Sequence, residues 1–137
     1  MMTSQQVVTN AVRKTTLISR HGLALRVTDN AVNGSESVTG DANTILEMMS
    51  VAPGETVLRG ESANRYIGMD NNGNLIAYNS LMEDCVFKEH LHNNGYMSFE
   101  SRLHNGWYLA LRNDGRAKPG PKTAPGQRAV EFLPGKI

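Results

Sequence analysis

The sequence predicts an all-β fold built from three repeats, and three observations lead there. Short runs rich in Ile, Val, Leu, Tyr and Phe alternate along the chain with turn signals such as "APGE", "NNGN", "HNNG" and "NDGR". No segment keeps a helical apolar period long enough to compete, although "NTILEMMSV" can be drawn either way. The segments "LALRVTDNA", "YIGMDNNGN" and "YLALRNDGR" each set aliphatic residues ahead of a polar turn, and their anchors Leu25, Met69 and Leu111 stand 44 and 42 positions apart. Three copies are too few for the blades of a propeller. Three four-stranded units closing a six-stranded barrel with a hairpin cap fit better, which is a β-trefoil. Closure also removes exposed strand edges.

Taken in order, residues 1–16 read as a flexible N-terminal segment ahead of a single domain, 17–137. "GLALRV" opens the first repeat and "NGS" reads as its turn. "TILEMM" follows as the second element of that repeat, and "APGE" turns the chain again. "RYIGM" and "NLIAY" flank a tight Asn-Gly turn, the clearest hairpin in the chain. "CVFKEH" and "YMSFES" make the next pair, joined through "HNNG". "WYLALR" opens the third repeat, and "AVEFLP" ends it. Trp107 is expected as a core or barrel-rim aromatic rather than a sugar platform.

Composition limits the function classes. With 39% hydrophobic and 20% charged residues the chain is ordinary for a globular domain. No apolar run approaches the length of a membrane span, and the first residues lack the apolar centre of a secretory signal peptide. Cys85 is the one cysteine, which leaves no internal disulfide or thiolate cluster. Its setting in "EDCVFKE" predicts a small buried filler. Net charge is +1, but residues 112–128 hold Arg112, Arg116, Lys118, Lys122 and Arg128 against Asp114 alone. That loop is therefore +4, and the nine bases and twelve acids elsewhere sum to −3. So much Gly and Pro forbids a helix there. A cationic loop whose path Pro119, Pro121, Pro125, Gly120 and Gly126 set in advance suits a polyanion.

These residues carry a family likeness. "NRYIGMDNNGNLIAYNSLMEDCVFKEHLHNNGYMSFES" resembles the central segment of fibroblast growth factors, with its Asn-rich turn, the acidic pair before Cys, and Phe-x-Glu. "GWYLALRNDGRAKPGPKTAPGQRAVEFLP" resembles the closing segment, with Gly-Pro-base-Thr, Gly-Gln-base-Ala and Phe-Leu-Pro in order. The likeness runs from about Leu17 to Leu133. It implies a secreted, extracellular signalling ligand that binds heparan sulfate and a receptor tyrosine kinase ectodomain, pairs two receptors, and catalyses nothing. The implied heparin-binding residues are Arg112, Lys118, Lys122, Gln127 and Arg128, with Arg116 an added base where the pattern is commonly small. The implied receptor-binding residues are Glu89, Asn94, Tyr96 and Leu133. Asn113, Pro119, Ala124 and Pro125 depart from the pattern, so heparin affinity should be below that of the most basic members. Leu17 stands where an aromatic is typical, Glu36 near an expected base, and Gly135 in place of a large apolar residue. These departures predict a weakened or altered receptor surface.

No cofactor, metal, nucleic acid or membrane insertion is expected. His90 and His92 share a strand face in "EHLHNN" but lack a third ligand, so they read as exposed polar residues. No nucleophile elbow or phosphate loop is present. Asn33-Gly34-Ser35 is a glycosylation sequon at a turn signal. The competing function is an intracellular trefoil adaptor that keeps the fold without activating a receptor. A trefoil lectin for neutral sugars is disfavoured because the charge is confined to the third repeat.

Overall fold

The computed structural model describes residues 12–36, 40–135 and 137. Among them run ten strands: β1 (Val12–Ser19), β2 (Ala24–Val27), β3 (Val32–Ser35), β4 (Leu46–Ala52), β5 (Glu55–Gly60), β6 (Arg65–Met69), β7 (Leu75–Tyr78), β8 (Val86–Leu91), β9 (Met97–Ser101) and β10 (Phe132–Gly135). Every pairing is antiparallel. β1 pairs β4, β4 pairs β5, β5 pairs β8, β8 pairs β9, β9 pairs β10, and β10 returns to β1. Six strands thus form a closed ring. The hairpin β2–β3 joins the ring at β1 through Ile18↔Ala24, and β6–β7 joins at β5 through Arg59↔Tyr66. The third hairpin joins at β9 and is reduced to two bridges, Glu100↔Tyr108 and Leu111↔Ala117. This is the β-trefoil.

The repeat anchors Leu25, Met69 and Leu111 are all 0% exposed, one at the same place in each unit. Phe87, Phe99 and Phe132 fill the barrel from β8, β9 and β10, and the Phe99 and Phe132 rings meet at 6.2 Å, tilted by 57°. Cys85 is fully buried, and that burial pushes its thiol above the usual range, as suits an inert filler.

Several expectations are corrected. "NTILEMMSV" is strand, entered through a one-turn 3-10 segment, Ala42–Thr44, that the Asp41 side chain caps by accepting the Asn43 N–H. Residues 12–16 belong to β1 and not to a loose leader: Val12 pairs Met49, and Thr16 pairs Gly135. Residues 1–11 lie outside the described residues. The sequon Asn33-Gly34-Ser35 is within β3 rather than at a turn. Gly34 is there because its N–H reaches the Gly115 carbonyl at 2.7 Å, and a Cβ would sit 3.0 Å from Leu111 Cδ1. The third unit keeps hairpin bonds, Lys118 N–H to Ala110 and Arg112 N–H to Arg116, but its Leu111 N–H turns away to Ala129.

His90 and His92 are half-buried, not exposed. His90 Nε2 lies 2.8 Å from Glu100 Oε1, and His92 Nε2 lies 2.8 Å from Ser98 Oγ. Burial is the largest influence on Glu100 and pushes its carboxyl up; the Gly106 N–H, His90 and Lys88 outweigh it, so the net shift is downward. A carboxyl with a lowered folded-state pKa stabilises the fold above its unfolded value, about 4.3, and loses that stabilisation as pH falls through the folded value. Glu100→Gln should therefore unfold at lower urea than the unmodified chain at pH 7, with the gap closing below about pH 4. Urea midpoints at both pH values check this; a constant gap contradicts it.

Candidate functional site: the cationic loop and the polar face

The basic loop is braced along its length. Its first turn closes through Arg112 N–H to Arg116 at 2.8 Å and Gly115 N–H to Arg112 at 3.0 Å. Gly120 N–H then donates to Gly73 at 2.8 Å, which ties the loop to the β6–β7 turn. Thr123, buried, accepts the Tyr108 N–H at its Oγ1 (2.8 Å) and donates that hydroxyl to the Gly120 carbonyl (2.6 Å). One-turn 3-10 segments at Gly120–Lys122 and Arg128–Val130 complete the path. Trp107 is half-buried, stacked on the His104 ring at 4.7 Å and lying against Gly120. Because this bracing is internal, little ordering remains for a ligand to impose. Thr123→Val removes both hydroxyl bonds and leaves the Tyr108 N–H unpaired, at a cost of about 2 kcal/mol. The variant should melt lower and leave a heparin column at lower salt; an unchanged melting temperature would mean that Thr123 does not brace the loop.

The charges in the loop are of two kinds. Arg116 Nε pairs with Asp114 Oδ2 at 2.8 Å. The Arg116 backbone N–H is the largest influence on the Asp114 carboxyl; with the Arg116 guanidinium and the charge of Arg112 it outweighs desolvation and holds the group below its usual range. Arg112, Lys118, Lys122 and Arg128 form no ion pair with any carboxylate among the described residues. Lys118 Nζ instead donates to Gln127 Oε1 at 3.0 Å, and Gln127 Nε2 donates to the Lys122 carbonyl at 3.4 Å. Gln127 thereby ties the Lys118 ammonium to the Lys122 backbone without neutralising it. Outside the loop most described bases are paired: Lys14, Arg20, Arg26, Arg59 and Arg102 are each matched by Glu or Asp, whereas Arg13, Arg65 and Lys88 reach neutral acceptors. Of the five expected loop bases, the structure leaves four with unmatched charge and commits Arg116 to its neighbour.

A second group assembles where β8, β9 and β10 adjoin. Asn94 and Tyr96 flank Gly95 in the β8–β9 turn; the Tyr96 N–H donates to Asn94 Oδ1 at 3.0 Å. Asn94 Nδ2 reaches Glu131 Oε1 at 3.3 Å, Arg20 Nη1 reaches the same oxygen at 2.9 Å, and Arg20 Cζ stands 5.1 Å from the Tyr96 ring centroid. Leu133 is 37% exposed on β10, and the Phe132↔Met97 pairing brings it into register beside Tyr96. Glu89 is exposed on β8, opposite Phe99. Two residues of the departures are reassigned. Leu17 is 0% exposed in the core, so its lost ring is not a surface loss. A Cβ at Gly135 would run into Thr16 Oγ1, so the backbone fit with β1 requires glycine.

Sequence reasoning missed Arg20, Glu131 and Leu91. Glu131 carried a usable signal, since an acid inside the apolar run "AVEFLP" needs a cation nearby. Leu91 is 80% exposed on β8 two places beyond Glu89, on the same strand face. Arg20 had no local signal.

A closed six-stranded barrel with three hairpins defines a β-trefoil, and its third unit carries a braced cationic loop. The model of the fibroblast growth factor family matches residues 13–133. Fibroblast growth factor 2 of Gallus gallus is 40% identical over 114 residues, covering 82% of this chain and 72% of the relative. The Bos taurus protein of the same name is 38% identical and the Xenopus laevis one 37%, each over 82% of this chain and 73% of the relative. The chain belongs to the fibroblast growth factor family. It is a growth-factor ligand, and members of this family signal rather than catalyse.

Proposed function

We propose that this ligand acts outside the cell, binds heparan sulfate through Arg112, Lys118, Lys122, Gln127 and Arg128, and engages a fibroblast growth factor receptor ectodomain through Glu89, Asn94, Tyr96 and Leu133. Two receptors brought together on one sulfated chain would then be activated. The observation that carries the reading is a braced loop with four cations clustered on it, none paired with a carboxylate among the described residues, where five of the eight described bases outside the loop are paired. Closely spaced sulfates offer the counter-charge that the protein itself withholds, and the arginines add bidentate hydrogen bonds to oxyanions. Arg116 plays a lesser part because Asp114 already occupies it.

The test has two arms. Elution from heparin resin should require more salt than elution from plain sulfonate resin, since density of charge alone cannot reproduce a fitted array. Receptor phosphorylation in cells lacking heparan sulfate should depend on added heparin. Equal elution on both resins would sink the polysaccharide site, and phosphorylation absent with and without heparin would sink the receptor role.

A further inference from the structure

Val130, Glu131 and Phe132 are all buried in sequence. Phe132 fills the barrel, and Val130 lies in a small cluster with Tyr108, Ala110 and Ala129. Glu131 stands between the 3-10 segment that ends at Val130 and the start of β10 at Phe132, and its carboxylate is covered by groups from other segments. Those groups are Arg20, from the turn after β1, and Asn94, from the turn after β8. The side chains of Glu131 and Arg20 are 6% and 29% exposed, so the pair is shielded and its geometry is set. A backbone bond from Arg20 N–H to the Glu131 carbonyl at 3.0 Å holds the same two residues a second time.

Asn94 is used at both ends. Its Oδ1 accepts the Tyr96 N–H and its Nδ2 donates to Glu131, so only one orientation of the amide serves both partners. The guanidinium of Arg20 lies over one face of the Tyr96 ring at 5.1 Å. An Asn-Gly turn with an aromatic at its end would otherwise leave that ring free among rotamers. Here three chain segments far apart in sequence hold it in one place.

We propose that Arg20 is a positioning residue for receptor engagement, one that orients Tyr96 through the Glu131–Asn94 network. This inference rests on the reading of Tyr96 as a receptor contact. Arg20 acts through the ring and the amide; its own charge is matched by Glu131 and is not offered to the polysaccharide. Lysine would keep that charge but lose the planar stacking, so Arg20→Lys separates the two roles.

The experiment measures affinity for an immobilised fibroblast growth factor receptor ectodomain and, separately, salt of elution from heparin, for the unmodified chain, Arg20→Lys, Tyr96→Ala and the double variant. Melting temperature and near-ultraviolet circular dichroism report folding. Should Arg20→Lys not fold, Arg20→Gln with Glu131→Gln, which removes both charges together, takes its place. The expected result is a loss of about fivefold in receptor affinity for Arg20→Lys, with unchanged heparin elution and no further loss when it is added to Tyr96→Ala. Additive losses, or no loss at position 20 while Tyr96→Ala weakens binding, would overturn the proposal and leave the receptor face intact. A fall in heparin elution with receptor affinity unchanged would assign Arg20 to the polysaccharide site and overturn it too. No effect of Tyr96→Ala would remove the receptor-face reading itself, and this inference with it.

Discussion

Replacement of Arg112, Lys118, Lys122 and Arg128 together by alanine should abolish the salt-sensitive part of heparin binding. Treated as polyelectrolyte association, four contacts make the unmodified protein lose roughly two orders of magnitude in affinity between physiological and molar salt. The quadruple variant should bind weakly at low salt and show almost no such slope. Its fold should survive, because Lys122 and Arg128 are exposed and none of the four is ion-paired to a carboxylate among the described residues. Arg116→Ala is the informative contrast. Its guanidinium is held by Asp114 at 2.8 Å, so the slope should hardly change. Heparin titrations at several salt concentrations check both variants. An Arg116→Ala effect larger than that of Lys122→Ala would reverse the assignment of roles within the loop.

Gly73→Ala should be among the most damaging single methyl additions in the chain. Gly73 has φ of +83°, and a Cβ there would collide with Pro121 Cδ and approach the Gly120 nitrogen to 2.8 Å. The left-handed conformation costs a non-glycine residue about 1 kcal/mol. Separating the β6–β7 turn from the loop adds overpacking of about 2 kcal/mol and breaks the Gly120–Gly73 hydrogen bond. Gly22→Ala provides the control, with φ of +82° and nothing within 4 Å. It should lose only the conformational part, about 1 kcal/mol. Urea unfolding gives both values, and the difference between them isolates the contact with the loop. Gly73→Ala should also weaken heparin binding, since the loop loses one of its braces; equal stability of the two variants would show that the turn and the loop are not coupled.

The threefold plan was readable because it repeats. Leu25, Met69 and Leu111 recur at near-equal spacing, and the same step that places them in sequence buries each in the barrel. The cationic loop was readable because charge and proline are local properties. What escaped depends on partners distant along the chain. Nothing near Arg20 announces Glu131, which lies 111 positions away. β1 begins at Val12 because β4 supplies a partner for it, not because of its own composition. Gly34 looked like a turn residue when its role is to admit Gly115 and Leu111. The third hairpin follows the repeat in sequence but is reduced to isolated bridges, and its Leu111 N–H donates to Ala129, 18 positions on.

The ring closes where β1 meets β10, a contact that spans 120 positions between Thr15 and Gly135. During synthesis that seam therefore cannot zip until Gly135 has left the ribosome. Until then the nascent chain carries two bare edges, on β1 and β9, which are open to mispairing with other chains. Pairing between segments so distant along the chain makes this a slow folder by topology.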